Sequence, residues 1–165
     1  MGGSSTLRDT LIYKLIDTTK NNFWGNGIVS LELKALTEGL WDGTDMRDDT
    51  VNVILRGSLS PYGRIDSSKF RLNSNGFGIA NFFNANGGIY YYITVKHRNS
   101  IETWTKNVQQ LNSGQPNTYN FTTFLTQAFG NNLKYKSGKW CFYSGDVNQD
   151  SIIDAADFSL VDNDV

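Results

Sequence analysis

The sequence predicts an all-β fold: an antiparallel β-sandwich, Ig-like or jelly-roll-like, followed by a short C-terminal EF-hand-like calcium loop. Two observations predict the sandwich. Short segments in which apolar and polar residues alternate recur at intervals of about 10–14 residues, with turn-forming residues between them. No helical pattern long enough for a βαβ crossover separates these segments. A third observation, a series of regularly spaced acidic residues near the C-terminus, predicts the calcium loop.

Each strand is predicted from its own alternation of side chains. The first covers residues 29–33, where Val29, Leu31 and Leu33 share one face. Residues 89–96 have the strongest strand pattern, because nearly all of them are β-branched or aromatic. The turn sequence Asn-Ser-Asn-Gly at residues 73–76 predicts a hairpin. The remaining strands are expected at residues 50–56, 68–72, 77–83, 101–105, 118–123 and 138–143.

The N-terminal part of the chain is ambiguous. Leu7, Leu11 and Leu15 lie on one face of a helix, but residues 10–16 also have a strand pattern. Within an all-β chain we favour the strand. The expected segments are therefore an added leader at 1–5, an N-terminal strand or short helix at 6–27, the sandwich at 28–144 and the calcium loop at 145–165.

Composition and charge exclude several classes of protein. Charged residues make up only 19% and aromatic residues 13%, unlike a disordered chain or a long coiled coil. No apolar run reaches the ~18–20 residues that span a bilayer, and no signal peptide is predicted. The 15 Lys and Arg residues are scattered, which argues against a nucleic-acid interface. The single cysteine, Cys141, excludes an internal disulfide.

The acidic residues of the tail follow the spacing of an EF-hand-type calcium loop. Counting Asp146 as position 1, oxygen-bearing side chains occupy positions 1, 3, 5, 9 and 12, and position 7 supplies a backbone carbonyl. Residues 146–165 contain six Asp and no Lys or Arg, and carboxylates at this density repel one another unless solvent or a cation lies between them. The predicted Ca²⁺ ligands are Asp146, Asn148, Asp150, Ile152, Asp154 and Asp157.

Two positions depart from the usual calcium loop. Position 6 is usually Gly because the backbone turns there with positive φ, and here it is Ser151. Position 12 is the short Asp157 in place of Glu. Both departures predict looser or weaker binding. The apolar Ile153 at position 8 is expected to point into the core. The alternative interpretation of the whole segment is an acidic, solvated tail.

The loop and the sandwich both resemble known families. The pattern Asp-x-Asn-x-Asp-x-x-Ile-Asp-x-x-Asp, continued by Phe158, resembles the repeat of type I dockerins, which usually carry two such repeats. Residues 31–41, 49–56 and 91–104 resemble a β-sandwich module near the C-terminus of large exported Bacteroidota-type proteins, many of which bear a type IX sorting signal. The resemblance implies a bacterial secreted or cell-surface location, and we expect the chain to be part of a longer polypeptide.

The expected function is that of a non-catalytic, calcium-binding accessory or attachment module. Its expected partners are other domains of the parent protein, a cohesin-like module or a polysaccharide, with no nucleic acid and no membrane span. The first alternative is a carbohydrate-binding module, and the second is part of a secreted hydrolase. Sugar binding would use exposed aromatic rings among Trp24, Trp41, Trp104, Trp140 and the tyrosines 90–92.

We expect structural roles for the two chemically reactive residues His97 and Cys141. His97 is the only histidine, and no Gly-x-Ser-x-Gly nucleophile motif accompanies it, so we expect it to support or cap a loop. With one His and one Cys, we expect no zinc site. Cys141, between Trp140 and Phe142, is expected to be a core or sheet residue.

Overall fold

The computed structural model describes residues 27–162 as ten strands, two short 3-10 helices and one α-helix. The predictions for the leader and for the strand at residues 10–16 lie outside the described residues. The 3-10 helices are η1, Leu125–Gln127, and η2, Phe129–Asn131, and the helix is α1, Ala155–Asp162. The strands are β1 Val29–Lys34, β2 Asp49–Gly57, β3 Arg64–Leu72, β4 Phe77–Phe82, β5 Ile89–His97, β6 Ser100–Trp104, β7 Gln109–Leu111, β8 Pro116–Asn120, β9 Lys134–Lys136 and β10 Lys139–Cys141.

The strands form two main sheets around one core. One sheet has the order β4-β1-β8, and the other has the order β3-β2-β5-β6, with β7 also paired to β5. Strands β9 and β10 form a separate two-stranded ribbon. The all-β prediction is confirmed, and most strand pairs are antiparallel. The β1–β8 pair is parallel, with Ser30 opposite Pro116, so the prediction of antiparallel pairing is wrong at this pair.

The core follows from the alternation that predicted the strands. Val29, Leu31 and Leu33 on β1 are fully buried, and the residues between them are half-buried. The aromatic part of the core includes Phe121 and Phe142, whose ring centroids lie 5.1 Å apart at 71°. Complete burial of a large apolar side chain contributes about 1.5–3 kcal/mol. These residues belong to one continuous hydrophobic cluster that draws on both sheets.

The turn at residues 73–76 forms as predicted, but the predicted hairpin is wrong. The Gly76 N–H donates to the Asn73 carbonyl at 2.8 Å, and Gly76 has φ +72°. However, β3 pairs with β2 and β4 pairs with β1. The turn therefore carries the chain from one sheet to the other. The local sequence specifies the turn, whereas packing over long sequence distances decides which strands pair.

Candidate calcium site

The segment after β10 is hydrogen-bonded to the end of the sandwich. The Phe142 N–H donates to the Leu36 carbonyl at 2.7 Å, and the Ile101 N–H donates to the Tyr143 carbonyl at 3.1 Å. These bonds hold the backbone that leads into the predicted calcium loop. They place Asp146, position 1 of the loop, against the sandwich, where it is only 1% exposed.

The backbone of the loop turns at the position that a calcium loop requires. Ser151, at position 6, has φ +73°, and Gln149, at position 4, has φ +62°. A residue other than glycine in this conformation costs on the order of 1 kcal/mol. Ser151 therefore adopts the sharp turn that glycine usually provides. The surrounding contacts offset the free-energy cost of this conformation.

Side chains at positions 1, 3 and 5 accept hydrogen bonds from the loop backbone. The Asp150 N–H donates to Asn148 Oδ1 at 2.8 Å, and the Ile152 N–H donates to Asp150 Oδ1 at 2.9 Å. The Ser151 N–H donates to Asp146 Oδ2 at 3.2 Å. The first two bonds, each from a backbone N–H to a side chain two residues earlier, are of the kind that stabilises tight turns. They wind the loop around its own acidic side chains.

The carboxylate of Asp146 is the least satisfied polar group of the loop. Its Oδ2 accepts the bond from Ser151, but its Oδ1 is buried and has no hydrogen-bond donor among the described residues. Leaving a charged oxygen buried without a partner is costly, and a bound cation removes that cost. This oxygen is the observation in the loop that points to an ion.

Asp157 closes the loop through hydrogen bonds to its backbone. Its Oδ1 accepts the Val147 and Asn148 N–H groups at 2.7 and 3.0 Å, and its Oδ2 accepts the Asp154 N–H at 3.0 Å. Asp154 Oδ1 in turn accepts the Ala156 N–H at 2.8 Å, so the two carboxylates cap the start of α1 reciprocally. The bonds from the Asn148 and Asp154 N–H groups lower the pKa of Asp157 below its usual range. Its Oδ2 retains a lone pair for an ion.

The predicted ligands do not form a ready-made cage of acidic side chains. In the part of the chain from residue 27 to residue 162, no three His, Cys, Asp or Glu side chains are grouped so that they could hold a metal ion. Two of the six predicted ligands, the Asn148 amide and the Ile152 carbonyl, are of other chemical types. Calcium binding by this loop is therefore a proposal.

Ile153 does not point into the core as expected. It is 43% exposed, because the loop meets the sandwich through its first residues and leaves position 8 near the surface. Its side chain packs against the backbone of Gly145, where a Cβ would lie only 3.0 Å from Ile153 Cγ2. Gly145 also has φ +122°, a conformation that favours glycine.

His97 belongs to a network that fixes the turn between β5 and β6. Its Nδ1 accepts the Asn99 N–H at 3.2 Å and lies 3.2 Å from Ser100 Oγ, and its Nε2 lies 3.3 Å from Asp49 Oδ2 without the alignment of a hydrogen bond. Arg98 donates to the same Asp49 oxygen at 2.8 and 3.0 Å. The order Ser, His, Asp is that of a catalytic triad, but Ser100 is fully buried and its hydroxyl has no access to a substrate. His97 caps the turn, as predicted.

Burial and hydrogen bonding set the pKa values of this network. Burial lowers the pKa of His97, and the neighbouring Asp49 only partly opposes that shift. Burial alone raises the pKa of Asp49, but bonds from Arg98 and the Thr50 N–H outweigh it and lower the pKa to about 2. Near neutral pH the network therefore consists of a neutral imidazole beside an ionised carboxylate that is paired with a guanidinium.

Two of the aromatic residues considered for sugar binding, Tyr92 and Trp104, pack with Tyr62 in one cluster. Tyr62 and Tyr92 meet edge-on, with ring centroids 5.7 Å apart at 85°, and Tyr92 lies 5.9 Å from Trp104 at 56°. The Arg56 guanidinium covers the Trp104 ring at 4.8 Å from its centroid. Pyranose rings stack on exposed aromatic faces, and these rings are neither coplanar nor fully uncovered. Carbohydrate binding stays a prediction.

The other tryptophans and the cysteine have varied environments. Trp41 is 7% exposed and belongs to the core, and Trp140 packs against Tyr135 at 5.1 Å between centroids. Trp24 lies outside the described residues. Cys141 is fully buried, as predicted, and burial raises the pKa of its thiol to about 11.

Comparisons with known proteins find no relative of this chain. No family model matches the chain, and no curated protein or solved structure is detectably similar to it. The resemblances to dockerins and to Bacteroidota-type modules therefore stay predictions. Within residues 27–162, no helix has the length and apolar character needed to cross a membrane.

Proposed function

We propose that this chain is a calcium-binding accessory or attachment module of a secreted or cell-surface bacterial protein, with no catalytic role of its own. The observation that carries the proposal is the Asp146 carboxylate. It is buried, one of its oxygens has no donor within residues 27–162, and it occupies position 1 of a loop with calcium-loop spacing. A divalent cation is the partner that such an oxygen lacks.

The ligand set follows from the loop frame. Asp146, Asn148 and Asp150 would bind through side-chain oxygens, and Ile152 through its carbonyl. Asp157 would use the remaining lone pair of Oδ2, and Asp154 would bind directly or through water. Calcium supplies the positive charge that offsets repulsion among these carboxylates. At an effective dielectric constant of ~20, two like charges ~4 Å apart repel by about 4 kcal/mol.

The module's wider role rests on the resemblances in its sequence. Other domains of the parent protein, a cohesin-like module and a polysaccharide are the partner classes that they imply. Among these, we expect weak or no cohesin binding by this chain alone. It carries a single repeat, and positions 10 and 11 are Ala155 and Ala156, where dockerins often place polar or hydroxyl residues.

Thermal unfolding with and without calcium tests the proposal. Binding to the folded state adds about 2.7 kcal/mol at a hundredfold excess over Kd, which raises Tm by about 5–10 °C for a chain of this size. A chelator should reverse the increase. Asp146→Asn should abolish it, because the substitution removes the charge and keeps the shape of the side chain. Asp162→Asn, at the end of α1 and outside the frame, should retain it. An unchanged Tm for the unmodified chain at millimolar calcium would contradict the proposal.

A further inference from the structure

One side-chain amide bridges the calcium loop and the sandwich. Gln149 Nε2 donates to the carbonyl of Asp146 at 2.6 Å and to the carbonyl of Ser100 at 3.4 Å. The first acceptor belongs to position 1 of the loop, and the second is the first residue of β6. The left-handed backbone of Gln149 is part of the turn from which its side chain reaches back.

A second tether lies beside the first. The Gly145 N–H is shared between the backbone carbonyl and the side-chain Oδ1 of Asn99, at 3.1 Å to each. Asn99 belongs to the turn between β5 and β6. Ser100 and Ser144 also form an isolated antiparallel bridge. The residues that precede Asp146 are thus attached to this turn through both main chain and side chain.

The turn that receives these bonds is itself held firmly. His97 caps it from within, and Arg98 pairs with Asp49 at the start of β2. The helix at the other end of the loop supports it only through the hydrogen bonds of Asp157, which is the one buried residue of α1. Phe158, for example, is 73% exposed. Packing of α1 therefore does not position the loop.

From these contacts we infer that Gln149 and Asn99 are positioning residues for the calcium site. They hold Asp146 against the rigid β5–β6 turn, so that the sandwich preorganises the loop for the ion. The inference rests on the proposed function, and it adds that calcium affinity depends on contacts outside the loop frame. It also makes the loop and the sandwich a single calcium-dependent unit.

Isothermal titration of the full chain with CaCl₂ tests the inference. Gln149 is largely exposed, so its two hydrogen bonds are of ordinary strength, and Gln149→Ala should weaken calcium binding about threefold to tenfold. Alanine has about the same left-handed backbone cost as glutamine, so backbone strain is unchanged. Asn99→Ala should act in the same direction, and the double variant should bind more weakly than either single variant.

Gln110→Ala is the matched control. Gln110 Nε2 also donates to a backbone carbonyl, that of Gly88 at 3.0 Å, but at the opposite end of β5. Its calcium Kd should stay within about twofold of the unmodified chain. Tm in the absence of calcium distinguishes positioning from general stability, and it should be the same for Gln149→Ala and Gln110→Ala.

The outcomes separate the two claims. If the unmodified chain binds calcium and Gln149→Ala binds equally well, the positioning role is wrong and the proposed function stands. If Gln149→Ala has a clearly lower Tm without calcium than Gln110→Ala, the role of Gln149 is structural, which also overturns the inference. If the unmodified chain shows no heat of binding, the proposed function itself fails.

Discussion

Neutralising Asp49 is expected to remove a pH-dependent part of the free energy of unfolding. The Asp49 side chain is 18% exposed and accepts two bonds from Arg98 and one from the Thr50 N–H. Its pKa is about 2, against an ordinary value of 3.8. A difference of almost two units corresponds to about 2 kcal/mol of stability at neutral pH.

The sign of the pH dependence follows from the lowered pKa. The unfolded chain binds the Asp49 proton first, so this contribution is fully present above about pH 5 and is lost as pH falls from about 4 to 2. His97 causes a separate loss of stability as pH falls. Its folded pKa lies below 6.5, so the unfolded state takes up a proton first as pH falls below that value. The two groups thus destabilise the fold in different pH ranges.

Urea unfolding at a series of pH values measures the effect. Asp49→Asn should lower the free energy of unfolding by about 2 kcal/mol at pH 7, and its difference from the unmodified chain should shrink towards pH 2. Asp48→Asn is the control, because the Asp48 side chain is 36% exposed and makes one 3.4 Å contact with an exposed Arg71. A loss for Asp49→Asn that equals the control at pH 7, or that does not change with pH, would refute the reasoning.

Three further perturbations test the packing. Phe121→Ala should cost about 3–5 kcal/mol in chemical denaturation, because the ring is fully buried; a loss below 1 kcal/mol would contradict the core assignment. Gly76→Ala should destabilise the chain far more than Gly88→Ala, since a Cβ at Gly76 overlaps the Ala35 carbonyl whereas Gly88 faces open space, and equal Tm losses would be inconsistent with this turn. Cys141 should resist thiol reagents at pH 8 until the chain unfolds, so rapid labelling of the folded chain would argue against its burial.

The strands could be predicted because side-chain alternation depends only on residues that are neighbours in the sequence. Side chains alternate across any strand, so the buried faces of β1 and β2 could be predicted from a few consecutive residues. Strands β7 and β9 were missed, because three residues are too few to establish a period. The partners of β3 and β4 were mispredicted, because pairing depends on contacts between residues distant in sequence.

The candidate site was likewise predictable where its features are local in sequence, and unpredictable where they depend on the fold. The spacing of acids predicted the loop frame, and Ser151 adopts the left-handed turn that the frame demands. The reciprocal capping by Asp154 and Asp157 was missed, although an Asp at the N-cap with an acidic side chain three residues later resembles the recognised capping-box signal. Nothing local could predict the contacts of Gln149 with Ser100, or of His97 with Asp49, because folding alone brings these residues together.

A crystal structure of the full chain grown in millimolar calcium tests the central claim most directly. The proposal predicts one ion in the loop, identified by its anomalous scattering, with Asp146 Oδ1 among its ligands. Oxygen distances should be ~2.3–2.6 Å and the coordination number six to eight. An ordered loop in which a water molecule or a backbone N–H satisfies Asp146 Oδ1, with no ion present, would contradict it.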